Sequence, residues 1–141
     1  MHSRKLIRDA VAALLTGLPT TANRVLIGRT RPLAAGHQPT LLVYTTEEQS
    51  DRPMEGNPGG LGRDLMLAIE GRTTTATPPD DLLDAIAFEV EGQLRDTNLD
   101  GLVFDATLLR TTVDVTADGE RHTGAIRFEY HVRYSEADEQ E

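Results

Sequence analysis

Cysteine is missing from this chain of 141 residues, which removes disulfides, thiolate metal sites and thiol nucleophiles together and fits a reducing cytosol. Tryptophan is missing too, and three Phe and three Tyr are all the aromatic residues there are, so the core has to be mainly aliphatic. No apolar run approaches the roughly 20 residues that a membrane helix needs. The start, Met1-His2-Ser3-Arg4-Lys5, leads into an amphipathic segment and not into an apolar region with a cleavage site, so no signal peptide is expected. Positive charge is scarce: 14 basic residues stand against 23 acidic ones, a formal charge of −9. Such a field repels free nucleic acid and argues against a classical DNA binder. The expectation is a soluble domain made inside the cell.

What is present suits one domain over residues 1–134, long enough to bury roughly two-thirds of the surface of its unfolded chain. Ser3 can cap a helix whose apolar positions, Leu6, Ile7, Ala10, Val11 and Leu14, recur at helical spacing to about residue 16. Gly17 sits where a left-handed cap belongs. Val25-Leu26-Ile27 reads as a short strand closed by Gly28, and residues 29–39 as a basic connection. Thr40 to Thr46 reads as a strand buried on both faces. Residues 47–62 hold four Gly and two Pro without periodicity, which predicts a long loop. A strand over Asp64 to Ile69 is expected to stop at Gly71. Thr77, Pro78, Asp80 and Asp81 carry the signals of a second helix start, followed by the stripe Leu82, Leu83, Ile86, Ala87, Val90 and Leu94. Residues 135–141 form an acidic tail expected to be flexible.

The chain closes on a long hairpin. Asp118-Gly119 is the pair that a two-residue type I′ turn asks for. A turn there sets Leu109 against Phe128, Thr111 against Ile126, Thr107 against Tyr130 and, further along, Val103 against Tyr134. The opposite face then carries Arg110, Arg127, Glu129, His131 and Arg133, with Arg110 facing Arg127. Two striped helices need a sheet to cover. The predicted fold is therefore α+β, a mostly antiparallel sheet with both helices on one face and a long C-terminal β-hairpin.

Candidate chemistry is sparse. Asp96, Asn98 and Asp100, ahead of Gly101, match the first half of a calcium loop, but Thr107 stands where the bidentate Glu belongs and a strand follows in place of a second helix. The same residues make an ordinary turn after a helix, so no metal or other cofactor is expected. The four histidines are scattered. Residues 57–62 are Gly-rich yet lack the Lys-Ser/Thr of a phosphate loop and precede a strand. No nucleophile elbow or convergent carboxylate pair is visible, so no enzymatic activity is expected.

Two features point to contact with other chains. Phe88 lies about 170° around its helix from the centre of the apolar stripe, flanked by Ala85 and Gly92; an isolated exposed Phe is the plain alternative. Arg110, Arg127 and Arg133 share one sheet face, and opposed like charges ask for an acidic partner, for which a second copy of this −9 chain would serve. A solvated face is the other reading.

In element order the chain resembles the tail terminator proteins of long-tailed bacteriophages, the minor tail U family. The likeness runs through the helix from Arg4 to Leu15, the buried strand Pro39 to Thr46, the strand Leu65 to Glu70, the helix Leu82 to Leu94 and the closing hairpin ending Tyr130-His131-Val132-Arg133-Tyr134-Ser135. The resemblance implies a homohexameric ring that caps the finished tail tube at the head-proximal end, stops its polymerisation and offers a surface to the head-tail connector protein. Its partners would be itself, the tail tube protein and the connector, with double-stranded DNA passing through the ring without specific binding and no membrane involved. Met54, Asn57 and Leu61, in the expected loop, are then candidates for tube contact. Another neck or head-completion ring protein of a phage is the alternative within the same class. A small cation-binding module and a monomeric domain with a small ligand are the alternatives outside it.

Overall fold

The computed structural model describes residues 3–28, 38–53 and 60–137. The order is α1 (Ser3–Leu15), β1 (Val25–Ile27), β2 (Thr40–Pro53), β3 (Gly60–Thr75), α2 (Asp80–Leu94), a 3-10 turn (Leu99–Gly101), β4 (Asp105–Asp118) and β5 (Arg121–Ala137). The strands make one five-stranded sheet in the order β1-β2-β3-β5-β4. Among the described residues, only the β1/β2 pairing is parallel. This is the expected α+β architecture, with β4 and β5 forming the closing hairpin.

Alternation along the strands decides which face takes the helices. Leu65, Leu67 and Ile69 of β3 and Ile126, Phe128, Tyr130, Val132 and Tyr134 of β5 point to one side. They form one core with Ile7, Val11 and Leu15 of α1 and Leu83, Ile86, Val90 and Leu94 of α2. Each fully buried Leu, Ile or Phe contributes roughly 1.5–3 kcal/mol, against about 0–1 for an exposed ion pair, so this cluster holds the helices down. α1 lies over β1 and β2, and α2 over β5. Glu89 joins the two halves by accepting from the Thr20 amide at 3.0 Å and from its hydroxyl at 2.7 Å. Leu42, Tyr44 and Ala68 are buried on the sheet's other side.

Two glycines let α2 sit close. A Cβ on Gly71 would stand 3.2 Å from Ile86, and one on Gly124 would stand 2.8 Å from Pro79. Gly71 therefore lies within β3 and does not end it, correcting the expected stop. The start of α2 is corrected as well: Pro79 occupies the N-cap and accepts from the Leu83 amide, while Thr77 and Pro78 precede the helix. Gly17, with φ of +96°, does adopt the left-handed conformation expected after α1.

The expected loop over 47–62 is strand at both ends. β2 continues to Pro53 and β3 begins at Gly60, paired with register shifts between Thr45 and Glu47 and between Ser50 and Pro53. Met54 and Asn57 lie outside the described residues, and Leu61 is paired with Pro53 and Glu136 within the sheet. The expected flexible tail is likewise strand as far as Ala137, which pairs with Gly60; residues 138–141 lie outside the described ones.

The hairpin register differs by two at the turn. Asp118 pairs with Arg121, leaving Gly119 and Glu120 as the central residues. Gly119 has φ of +65° and Glu120 is not among the described residues of positive φ, which fits a type II′ turn led by glycine. Thr111 then faces Phe128, not Ile126, and Val113 faces Ile126. A bulge at Leu109 shifts the ladder once more, so Leu108, not Thr107, faces Tyr130. Val103 lies ahead of the strand, and the neighbouring Phe104 amide bonds the Arg133 carbonyl.

Candidate functional site

The α1 flank of the sheet carries a charged network inside the structure. The first shift in β2 turns Glu48 toward the helix-covered face, opposite Leu65. Its side chain is only 8% exposed. Arg63 pairs with it, Tyr134 donates to it at 2.9 Å, and Arg4 of α1 reaches it at 3.3 Å. Burial by itself would push this carboxyl's pKa up. The hydrogen bonds from Arg63 and Tyr134 and the charges of Arg4 and Arg63 outweigh that, and the net effect is downward.

A groove of about 470 Å³ between α1 and β2 adjoins this network, with Arg4, Lys5 and Arg8 lining it from the helix, Glu47 and Glu48 from the strand, and Leu65 fully buried beneath. Arg4 and Arg8 are one helical turn apart, so both reach the strand, and Arg8 donates to the Thr45 hydroxyl at 3.4 Å. Lys5 pairs with Asp9 at 2.8 Å on the outer face of the helix.

The opposite flank is of other character. Phe88 stands out from α2, 82% exposed. Asp84 lies one turn before it and Glu91 one turn after, and α2 contains no Lys or Arg. β4 is the edge strand at this end of the sheet, with Leu109, Val113 and Val115 exposed. Behind α2, Tyr130 is buried and its pKa pushed up to about 12, first by burial and then by the charge of Glu91.

The helix-free sheet face bears a ladder of polar pairs. Tyr44 donates to Glu70 at 2.8 Å and Arg72 binds the other oxygen of that carboxylate at 2.7 Å. Burial, then the bond to Glu70, raises the Tyr44 pKa, with Arg127 acting in the opposite sense. Arg127 pairs with Glu129 at 3.2 Å, and Asp64 takes His131 at 3.0 Å and Arg133 at 3.6 Å. The expected opposition of Arg110 and Arg127 does not occur. The register sets Arg110 against Glu129 and Arg127 against Thr112, so acidic compensation comes from within the chain.

Asp96 and Asn98 sit in the connection after α2. Asp96 and Leu99 have positive φ, and the Asn98 carbonyl accepts from the Gly101 and Val103 amides. Those carbonyl bonds and strained residues define a tight turn. The Asp100 side chain lies outside the described ones. Among the described residues, no three of His, Asp and Glu converge on one point that would hold a metal ion. No described helix is long and apolar enough to cross a membrane.

No family model matches the chain, and no curated protein matches it. Among solved structures it is similar to a chain described as "Virion of native gene transfer agent (GTA) particle". The identity is 17% and the TM-score 0.47, over 87% of this chain and 84% of that one. So distant a likeness assigns no function.

The predicted site residues are thus dispersed. Phe88 is on the α2 flank, Arg110, Arg127 and Arg133 are on the helix-free face, and Asp96 and Asn98 are in a turn. Sequence reasoning missed the groove of Arg4 and Arg8 and the buried Glu48. The cations read as the polar side of an amphipathic helix, and Glu48 fell in an expected loop. The one available signal was the i, i+4 spacing of the two arginines beside Ile7 and Val11.

Proposed function

We propose that this chain is a structural protein of a tailed-phage virion that acts by assembly and not by catalysis. In this reading a homohexameric ring caps the tail tube, ends its growth and offers its far side to the head-tail connector. The observation that carries it is the order of elements in one sheet: a helix, three strands, a helix and a long hairpin, both helices on one face. That is the order behind the resemblance to tail terminators. The charge supports it, since DNA sliding through a ring of anionic subunits is not held by its phosphates.

Electron microscopy of particles assembled without this protein tests the reading. Tubes of uncontrolled, excessive length are expected. Normal-length tails joined to heads overturn it, and normal-length tails detached from heads assign the chain to another ring of the neck.

A further inference from the structure

β4 ends the sheet with its outer backbone edge unpaired among the described residues. Edges of this kind are normally guarded by brevity, lysine, proline or a bulge. Between the bulge at Leu109 and the turn, residues 111–117 read Thr-Thr-Val-Asp-Val-Thr-Ala, a regular and mostly β-branched run with none of those guards. Val113 and Val115 lie on the helix-bearing side, opposite Ile126 and Gly124, yet are 50% and 41% exposed. On the other side Arg110 and Asp114 are exposed, and neither has an ion pair among the described residues. Glu129, opposite Arg110, is bonded to Arg127. We propose that β4 is an interface between two copies of this chain, pairing antiparallel with its counterpart about a twofold axis at Thr112. This goes beyond the ring reading, because a contact of like with like closes at two copies.

Backbone direction and charge choose that register together. The turn closes on Asp118 and Arg121, so the N–H and C=O of Thr112 and Asp114 point at β5 and those of Thr111, Val113 and Val115 point outward. With the axis at Thr112, Thr111 of each copy exchanges both backbone bonds with Val113 of the other, and Thr112 meets Thr112 as the closely spaced pair between them. Arg110 of each copy then faces Asp114 of the other, so both free charges are matched in both directions. An axis at Arg110 or Asp114 sets like charge on like, and one at Thr111 or Val113 leaves both without an opposite. On the helix-bearing side Val113 lies against Thr111 of the partner copy and diagonal to its Val113, which takes apolar surface out of water. Extending the sheet head to tail, β4 against the outer edge of β2 beyond Val43, is the alternative. Residues 44–51 there include Glu47 and Glu48 and no Lys or Arg, so Asp114 would find no cation.

The test uses Arg110→Asp and Asp114→Arg, both at exposed positions, with mass measured by sedimentation over a range of concentrations. The wild-type chain is expected to dimerise. Each substitution alone sets like charges face to face and is expected to weaken the dimer roughly tenfold or more. Mixing the two variants, or combining both substitutions in one chain, recreates the opposite pairs and is expected to restore it. Because the chain has no cysteine, a single substitution locates the axis. Thr112→Cys is expected to give a disulfide-linked dimer on mild oxidation, since the closely spaced pair lies within disulfide reach, and Thr116→Cys, on the same side of the strand, is expected to give none. A monomeric wild type, charge variants that associate as it does, or cross-linking at position 116 in place of 112 overturns the proposal. Larger closed oligomers that persist in both charge variants, without cross-linking at position 112, overturn this contact and leave ring formation standing. Tube length in assembled particles judges the capping function separately.

Discussion

Glu48 shows how far one side chain can govern the α1 flank. Its carboxylate is enclosed and satisfied by Arg63, Tyr134 and Arg4 at once. Removing its charge leaves Arg63 beside an uncharged amide in a poorly solvated place. Breaking a buried pair in this way costs roughly 3–5 kcal/mol, and the retained hydrogen bonds of an amide reduce that. Glu48→Gln is therefore expected to lose about 2–4 kcal/mol of stability at neutral pH. The folded-state pKa lies below the ordinary 4.5. The unfolded chain thus takes up the proton first, and the stabilisation is present above that value and fades as the pH falls through the folded pKa. Urea unfolding of both proteins at pH 7 and again near pH 3 should show the gap shrinking. An equal gap at both would mean that the loss came from packing and not from charge.

At the scale of elements, α2 is held by how closely it meets β3 and β5. Gly124→Ala places a methyl 2.8 Å from the Pro79 ring and 3.2 Å from Leu83, at the start of the helix. Pro79 is buried and cannot swing aside as a long side chain would, so the expected cost is about 1–3 kcal/mol. Thermal unfolding checks it, and an unchanged or higher midpoint would show that the helix start shifts freely. Much of this layer was legible beforehand, because burial follows periodicity: the helical stripes of α1 and α2 and the alternate residues Ile126 to Tyr134 of β5 face the core. Register was less legible. Asp118-Gly119 suits a turn centred on either pair, and the β4 bulge at Leu109 carries no signal of its own. The strand ends of β2 and β3 were hidden for a related reason. Their bulges break the alternation that marks a strand, and their polar residues pair through backbone bonds that are indifferent to side-chain type. The candidate groove inherited part of that blindness, since Glu47 and Glu48 on its strand side lie in the segment that reads as a loop.

For the whole molecule, the net charge opposes the self-association that a ring requires, and magnitudes decide by how much. Two compact subunits of this length sit with centres roughly 30 Å apart, judged from the size of a 141-residue chain. With nine negative charges on each, their repulsion is about 4 kcal/mol at 10 mM salt, where the screening length is about 30 Å. At 0.3 M that length falls to about 5 Å and the repulsion is nearly gone. Ion pairs that meet at about 4 Å across a subunit contact lie inside the screening length throughout, so they weaken by only about 1 kcal/mol. Self-association is therefore expected to strengthen with salt, by about 100-fold between 10 mM and 0.3 M. Sedimentation at fixed protein concentration across that range measures it. If association instead falls steadily as salt is added, the subunits are held by long-range attraction between charged patches and not by burial of apolar surface.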